Sequence, residues 1–495
     1  MHAVTPDPAL SQRRDALVAR LSEVLVNDQV IVDPDALAPY ESDGLTAYRQ
    51  KPLAAVLPAD TAEVQAVMRI CQELGLPIVP RGAGTSLSGG ALPQADGVLL
   101  GLSKLNRIVD IDYANRVVRA QAGVTNLAIT DAVAGAGFYY APDPSSQIAC
   151  TIGGNVGENS GGVHCLKYGL TTNNVLGVRL VTAAGDCLDI GGRHVDPEGY
   201  DLLGVVCGSE GLLGVITEVT VRILPRPETS RALLLGFDDV GAAGACVGGI
   251  IGAGIIPAGL EMMDSLAIRA AEDFARAGYP VAAAALLIVE LDGTEGDVAA
   301  EVSAVERIAR DSGASVIRAS ASDEERLTFW AGRKAAFPAV GQISPDYYCM
   351  DGTIPRHALP TVLARMAEMS AEYGLRVANV FHAGDGNLHP LILYDANTPG
   401  ELERAEAFGA EILKLCVEMG GVLTGEHGVG VEKRDLMGEM FDEVDLAHQQ
   451  RVKCAFDPEG RLNPQKMFPV LHRCAELGRM HVHGGRLPHP ELPRF

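Results

Sequence analysis

Basic charge is scarce in this chain. Of 495 residues, Lys and Arg number 40 and Asp and Glu 63, for a formal net charge of −23. Nucleic acid needs a basic face to neutralise its phosphates, so that class of partner is excluded. A small anionic substrate needs only local cations and is not. The ten cysteines never fall in C-x-x-C or similar spacing. That excludes a Cys-rich zinc or iron–sulfur site and suits reduced thiols in a cytoplasmic protein. Met1 to Arg20 lacks the apolar core of a secretory signal. Val240 to Leu260 is free of charge, but seven of its residues are Gly and Pro257 interrupts it. Such a stretch inserts poorly into lipid. With Asp238 and Asp239 as N-cap candidates, it reads as a soluble helix followed by a strand.

Glycine, in contrast, abounds at 56 residues and gathers in three loops. The first follows an apolar run, Leu76 to Val79, and contains Pro80, Arg81, Gly82, Ala83, Gly84, Thr85, Ser86, Gly89 and Gly90. Glycines permit positive φ and close backbone approach. Successive N–H groups in such a turn form an anion-binding concavity, and Arg81 adds a cation suited to phosphate. The loop therefore reads as a diphosphate cradle. It is not a Rossmann finger: the G-x-G-x-x-G spacing is missing, and Gly97 to Leu102 is extended rather than helical. The second block, Pro142 to Gly162, contributes Pro144, Ser145, Thr151, Gly153, Gly154, Asn155, Asn159, Ser160, Gly161 and Gly162. The third, Gly208 to Gly214, contributes Glu210, Gly211 and Gly214 and runs into a strand with Ile216. Three such loops separated by strands suit one extended ligand lying across a sheet-rich domain.

Along the chain, Leu10 to Leu25 reads as an amphipathic helix with Leu17, Leu21 and Val24 on one face. Asp60 caps a second helix, with Glu63 at its third position. Pro225-Arg226-Pro227 reads as a linker, after which long helical patterns alternate with strands. The expected segments are an N-terminal helix and connector (1–47), a ligand-binding domain (48–226), a second α+β domain (227–470) and a tail (471–495).

The second domain carries His382-Ala383-Gly384-Asp385-Gly386-Asn387-Leu388-His389. If Asp385-Gly386 centres a two-residue hairpin, residue 382 pairs with 389 and the imidazoles share one side of the ribbon. That arrangement suits a metal awaiting a third ligand. Direct binding of a substrate carboxylate, or two core histidines, also fits the spacing. Glu426 and His427 are neighbours between Gly425 and Gly428. On a regular strand they would face apart, whereas an irregular loop aims both inward.

The three loops in this order resemble the flavin-binding domain of the vanillyl-alcohol-oxidase/p-cresol-methylhydroxylase superfamily. Trp330 to Lys334, Phe381 to His389, Thr424 to Gly428 and Leu462-Asn463-Pro464 resemble its D-2-hydroxyacid dehydrogenase branch. Tyr347 to Gly352 and the tail Leu471 to Glu476 are similar to the glycolate oxidase D-subunit family within it. The resemblance implies an α+β fold: a two-part FAD-binding domain of the p-cresol-methylhydroxylase type, an α+β (ferredoxin-like) substrate domain, and a C-terminal segment returning to the flavin through Asn463. It implies FAD, held non-covalently because the opening loop has no His or Cys. It implies Glu426 as third ligand beside His382 and His389, for Zn, Mn or Fe. His427 becomes the general base and Arg333 the binder of the substrate carboxylate. The family usually has Gly where Gln465 stands.

The implied activity is oxidation of glycolate or another short D-2-hydroxyacid to the 2-oxoacid, with hydride passing to flavin N5. D-lactate or D-2-hydroxyglutarate dehydrogenase is the nearer alternative, and a non-catalytic flavin-binding subunit the remote one. Without an iron–sulfur motif, electrons must leave to another acceptor. The tail favours further glycolate oxidase-type subunits, one an iron–sulfur protein, which would supply any attachment to the inner face of the membrane. Four tail histidines, His472, His481, His483 and His489, fit no metal template and read as part of a docking segment.

Overall fold

A computed structural model describes residues 8–194 and 199–469. The tail motif and its four histidines lie outside the described residues.

Two sheets build the first half. A four-stranded sheet orders Val30–Ile31, Ala54–Val56, Val98–Gly101 and Ile78–Arg81, the last three parallel. A five-stranded antiparallel sheet orders Ile108–Asp112, Val117–Gln121, Val215–Arg222, Val175–Val181 and Cys187–Gly191. Both feed one core with Val56, Leu100, Leu180 and Val219 at full burial. The helix Thr61–Leu74 closes that core with Val64, Val67 and Cys71, and Asp60 caps it by accepting from the Glu63 N–H. The N-terminal helix, Pro8–Leu21, buries Leu17 and Leu21 in the same core. Val24 lies past its end and is exposed. The helix Pro8–Leu21 thus shares one core with both sheets of the first half.

A seven-stranded antiparallel sheet builds the second half, in the order Val316–Ala319, Thr229–Phe237, Ala285–Gly293, Gly259–Asp264, Val377–His382, Pro390–Tyr394, Asp346–Cys349. It is apolar on both faces. Leu233, Leu235 and Phe237 enter one core with the helices Val240–Gly252, Leu359–Tyr373 and Glu401–Glu418. Ala232 and Leu234 enter another with Ser265–Ala275 and Asp323–Val340. That alternation is the strand period of two. The uncharged stretch forms the helix Val240–Gly252, capped by Asp239, and then the strand Gly259–Asp264. No described helix is long and apolar enough to cross a membrane.

The C-terminal segment returns as expected. The Ile78 N–H donates to Arg461 O, and the Asn463 N–H to Ile78 O, beside the strand that launches the opening loop. Gln465 takes φ 66° where a glycine would be unstrained, so the chain completes this turn without it. The linker differs slightly from expectation. Leu224–Pro225 pairs with Phe138–Tyr139, leaving only a few unpaired residues before Thr229.

Candidate active site

The three glycine loops converge on one cleft of about 1340 Å³, its open mouth included. Pro80, Arg81, Gly82, Ala83, Gly84, Thr85, Ser86 and Gly90 line it from the first loop. Pro144, Ser145, Thr151, Gly153, Gly154, Asn155 and Ser160 line it from the second, and Glu210, Gly211, Gly214 and Ile216 from the third. The walls are small because neighbouring backbones touch. A Cβ at Gly82 would collide with Thr151 Oγ1. The second block also forms a short helix, Ile152–Glu158, which its glycines hid from the sequence reading. Thr151 caps it by accepting from the Gly154 N–H at 3.3 Å, so its first turn faces the cleft.

Five expected contacts fall off the wall. Gly89 packs on Val431, Asn159 ends the short helix at φ 53°, and Gly162 abuts the Asp143 carbonyl. Gly161 makes room for the other half of the site, since its Cβ would lie 2.6 Å from Glu426 Oε2. Asn463 Nδ2 donates to Gly90 O at 2.9 Å and Glu210 O at 2.7 Å, stapling the first loop to the third. Arg81 lines the cleft, and its guanidinium lies against Gly84 and is tied to backbone carbonyls. It donates to Ser42 O at 2.6 Å and Pro39 O at 3.4 Å, bracing the N-terminal connector. Its role as a phosphate-facing cation is corrected accordingly. Leu87, Ser146, Cys150, Glu158 and Phe337 line the cleft without having been expected. Cys150 carried no motif, and its thiol is engaged by Asn155 Nδ2 at 3.4 Å.

At one end of the cleft stand His389, Glu426 and His427. The hairpin that carries the histidines is wider than expected. His382 pairs with Asn387, and four residues, Ala383 to Gly386, span the turn. Asp385 Oδ1 accepts from the Asn387 N–H at 3.1 Å and holds it open. The register shifts by two residues, and an even shift keeps both side chains on one face. The two rings accordingly lie 5.1 Å apart. Glu426 Oε1 is 3.4 Å from His382 Nε2 and 3.2 Å from His389 Nε2. One ligand atom from each of His382, His389 and Glu426 falls within a 4.8 Å group.

Glu261 stands directly across from His382 on the adjacent strand, its Oε1 at 2.5 Å from His382 Nδ1. Its other oxygen accepts from Arg333 Nε at 2.8 Å. Arg333 is buried on the helix Asp323–Val340 and does not line the cleft, but its Nη2 has no hydrogen-bond partner among the described residues. Burial opposes charge on Glu261, yet His382 and Arg333 outweigh it and hold the carboxyl below its ordinary range. Burial also opposes charge on Glu426, and the two imidazoles outweigh it in the same direction. Glu261 went unread because one glutamate in an apolar strand carries no local signal.

Asp351 explains why Glu426 and His427 both face inward. Fully buried, it accepts from the N–H groups of Gly425 at 3.2 Å, Glu426 at 3.2 Å and His427 at 2.8 Å, and from the Thr424 hydroxyl. The loop is wrapped around one carboxylate and cannot run as a strand. His427 stacks on His389 at 5.0 Å. Burial pushes its pKa down to about 4, so the ring is neutral at physiological pH, and Nδ1 has no hydrogen-bond partner among the described residues. Tyr347 and Tyr348 do not line the cleft. Tyr347 packs on Phe337, and Tyr348 is core.

A glycine-walled cleft thus meets a His–His–Glu cluster at one end. Residues 52–191 match the FAD binding domain family, and 226–467 match the C-terminal domain of FAD linked oxidases. Glycolate oxidase subunit GlcD of Escherichia coli K12 is 56% identical over 482 residues, 97% of each chain. The chain belongs to the GlcD family of FAD-linked oxidases. A D-lactate dehydrogenase of Anaerostipes hadrus stands further off, 31% identical over 454 residues, 90% of this chain and 94% of that one. The fold is that of p-cresol methylhydroxylase with substrate bound, with a TM-score of 0.77 at 19% identity over 95% of this chain and 99% of that one. The α+β class and the FAD-binding domain expected from the GlcD-type motifs therefore stand.

Proposed function

We propose that this GlcD-family chain oxidises glycolate, or another short D-2-hydroxyacid, to the 2-oxoacid. The observation that carries the reading is the His427 imidazole at the end of the cleft, stacked on a cluster of metal-ligand type. FAD fits the cleft because its walls are glycine backbone held too close for side chains. When bound, non-covalently on this reading, FAD supplies the ring atom that accepts hydride. His427 takes the hydroxyl proton on a ring nitrogen, as a base must in its neutral form. Arg333 lies behind the cleft wall with Glu261 holding its guanidinium, and its unpartnered Nη2 is the group assigned to the substrate carboxylate.

A divalent metal fits His382, His389 and Glu426. Burial lowers the pKa of both imidazoles, yet Glu261 and Glu426 beside His382, and Asp351 and Glu426 beside His389, outweigh it, draw positive charge into the rings and raise both values. A divalent cation meets the same demand. Both nitrogens of His389 lack a well-formed hydrogen bond among the described residues. Glu261 on His382 Nδ1 is the outer carboxylate that commonly orients a ligating imidazole. When bound, the metal would lower the pKa of the substrate hydroxyl.

Electrons pass to other subunits, an iron–sulfur protein among them; the E. coli relative is named as a subunit, and this sequence has no cluster motif. Attachment to a membrane runs through such partners. The test is anaerobic mixing of the purified protein with glycolate, D-lactate, L-lactate and D-2-hydroxyglutarate. Glycolate is expected to bleach the flavin fastest. Bleaching by D-lactate or D-2-hydroxyglutarate alone would move the chain to the neighbouring dehydrogenases.

A further inference from the structure

Three carboxyl groups stand on the wall of a cleft that takes a cofactor bearing two phosphates: Glu158, Glu210 and Glu426. Apart from imidazoles, the one basic side chain among the described lining residues is Arg81, and it is bonded to backbone carbonyls. Two of the carboxyls are satisfied as anions. Glu426 faces His382 and His389. Glu210 accepts from the Val429 N–H at 2.6 Å and the Gly430 N–H at 2.7 Å, one on each oxygen. Glu158 is the exception. Its Oε2 is buried and has no hydrogen-bond partner among the described residues. The group lies between the opening loop, where a Cβ at Gly90 would be 3.0 Å from Oε1, and the turn after His427, where a Cβ at Gly428 would meet Oε2. The Glu210 carboxylate borders the same spot, with Oε1 3.0 Å from that Gly428 position.

We propose that Glu158 is a cofactor-contacting residue whose carboxyl O–H donates a hydrogen bond to the flavin ring. The inference rests on the cleft being an FAD site. A second anion beside Glu210 would repel both that neighbour and the cofactor. A proton on Glu158 removes the repulsion, and carried on the oxygen towards the cleft it is a donor for a ligand rich in acceptor atoms. Burial first, and the charge of Glu210 second, raise its pKa well above the ordinary carboxyl value, which agrees with the placement. A donor on the flavin ring favours the reduced form, whose added negative charge it stabilises. Glu158 would thus raise the flavin's reduction potential.

The test uses Glu158→Gln, which keeps the shape and an N–H donor, and Glu158→Met, which keeps the length and has none. Each full-length protein is stripped of FAD, titrated with FAD by fluorescence quenching, and then measured for the midpoint potential of the bound flavin. Glu158→Gln is expected to match the wild type in both. Glu158→Met is expected to bind FAD about 5–10-fold more weakly, the worth of one hydrogen bond, and to show a lower potential. A Glu158→Met protein that folds by circular dichroism but holds no FAD, while Glu158→Gln does, also supports the donor. A wild-type potential in Glu158→Met, or equal damage in both variants, would overturn it. If the wild-type protein itself takes up no FAD, it is the reading of the cleft that fails.

Discussion

The two ends of the cleft are built on opposite principles. The loops from Pro80 to Ile216 shape it mainly with backbone, and their side chains are small because larger ones would collide. The hydroxyacid end is built from charged side chains that satisfy one another: Arg333 on Glu261, Glu261 on His382, and both imidazoles on Glu426. A backbone cradle tolerates little added volume. A buried charge network tolerates no lost partner, since each deletion strands a desolvated group. Substitutions at the two ends should therefore fail in different ways.

The largest effect is expected from Glu426→Ala. It removes the carboxylate between two histidines, so metal content should vanish and turnover fall about a thousandfold. Elemental analysis and steady-state rates check both, and FAD content should stay at the wild-type level. Glu261→Gln comes next. It leaves the His382–His389–Glu426 group intact but loses the charge that orients His382. Metal affinity should drop about 10–100-fold, read by competition with a chelator, with flavin binding unchanged. At the other end, Gly82→Ala places a methyl against Thr151 Oγ1. FAD should bind about tenfold more weakly, a cost of about 1.4 kcal/mol, while metal content holds. If Gly82→Ala emptied the metal site as well, the contrast between the two ends would be lost.

The smallest effect on either end of the cleft is expected where the halves meet. His164 Nδ1 is 2.8 Å from Asp143, and Nε2 is 3.5 Å from Glu290 of the seven-stranded sheet. Burial lowers the pKa of His164, but Asp143 and Glu290 outweigh it and raise it to about 10. A raised folded-state pKa means that the stabilisation is complete below the unfolded value, about 6.5, and is lost as pH rises through about 10. His164→Gln should lower unfolding stability by about 2 kcal/mol at neutral pH. The gap from wild type should narrow towards pH 10, as followed by thermal melts across that range.

The same contrast decides what the sequence reveals. Gly82, Gly153 and Gly211 fall in contiguous runs, so the FAD cleft is legible as three glycine clusters. His382 and His389 are legible because one hairpin carries both. Glu261 and Asp351 are not, because each is a single acid whose partners lie far off in sequence: His382 for Glu261, the Gly425 to His427 amides for Asp351. Arg81 and Asn463 were legible as residues, but their targets were not. Both bind main-chain oxygens, which no motif records. The hairpin width depended on one side-chain bond from Asp385. Only the evenness of the register shift kept both imidazoles on one face.

The central claim is that a neutral His427 removes the substrate proton at the junction of the two ends. Its most direct test is the rate at which glycolate reduces the bound flavin in anaerobic stopped flow, with the wild type beside a His427→Ala variant of equal FAD and metal content. Reduction is expected to slow by about a thousandfold in the variant. Reduction at the wild-type rate would contradict it.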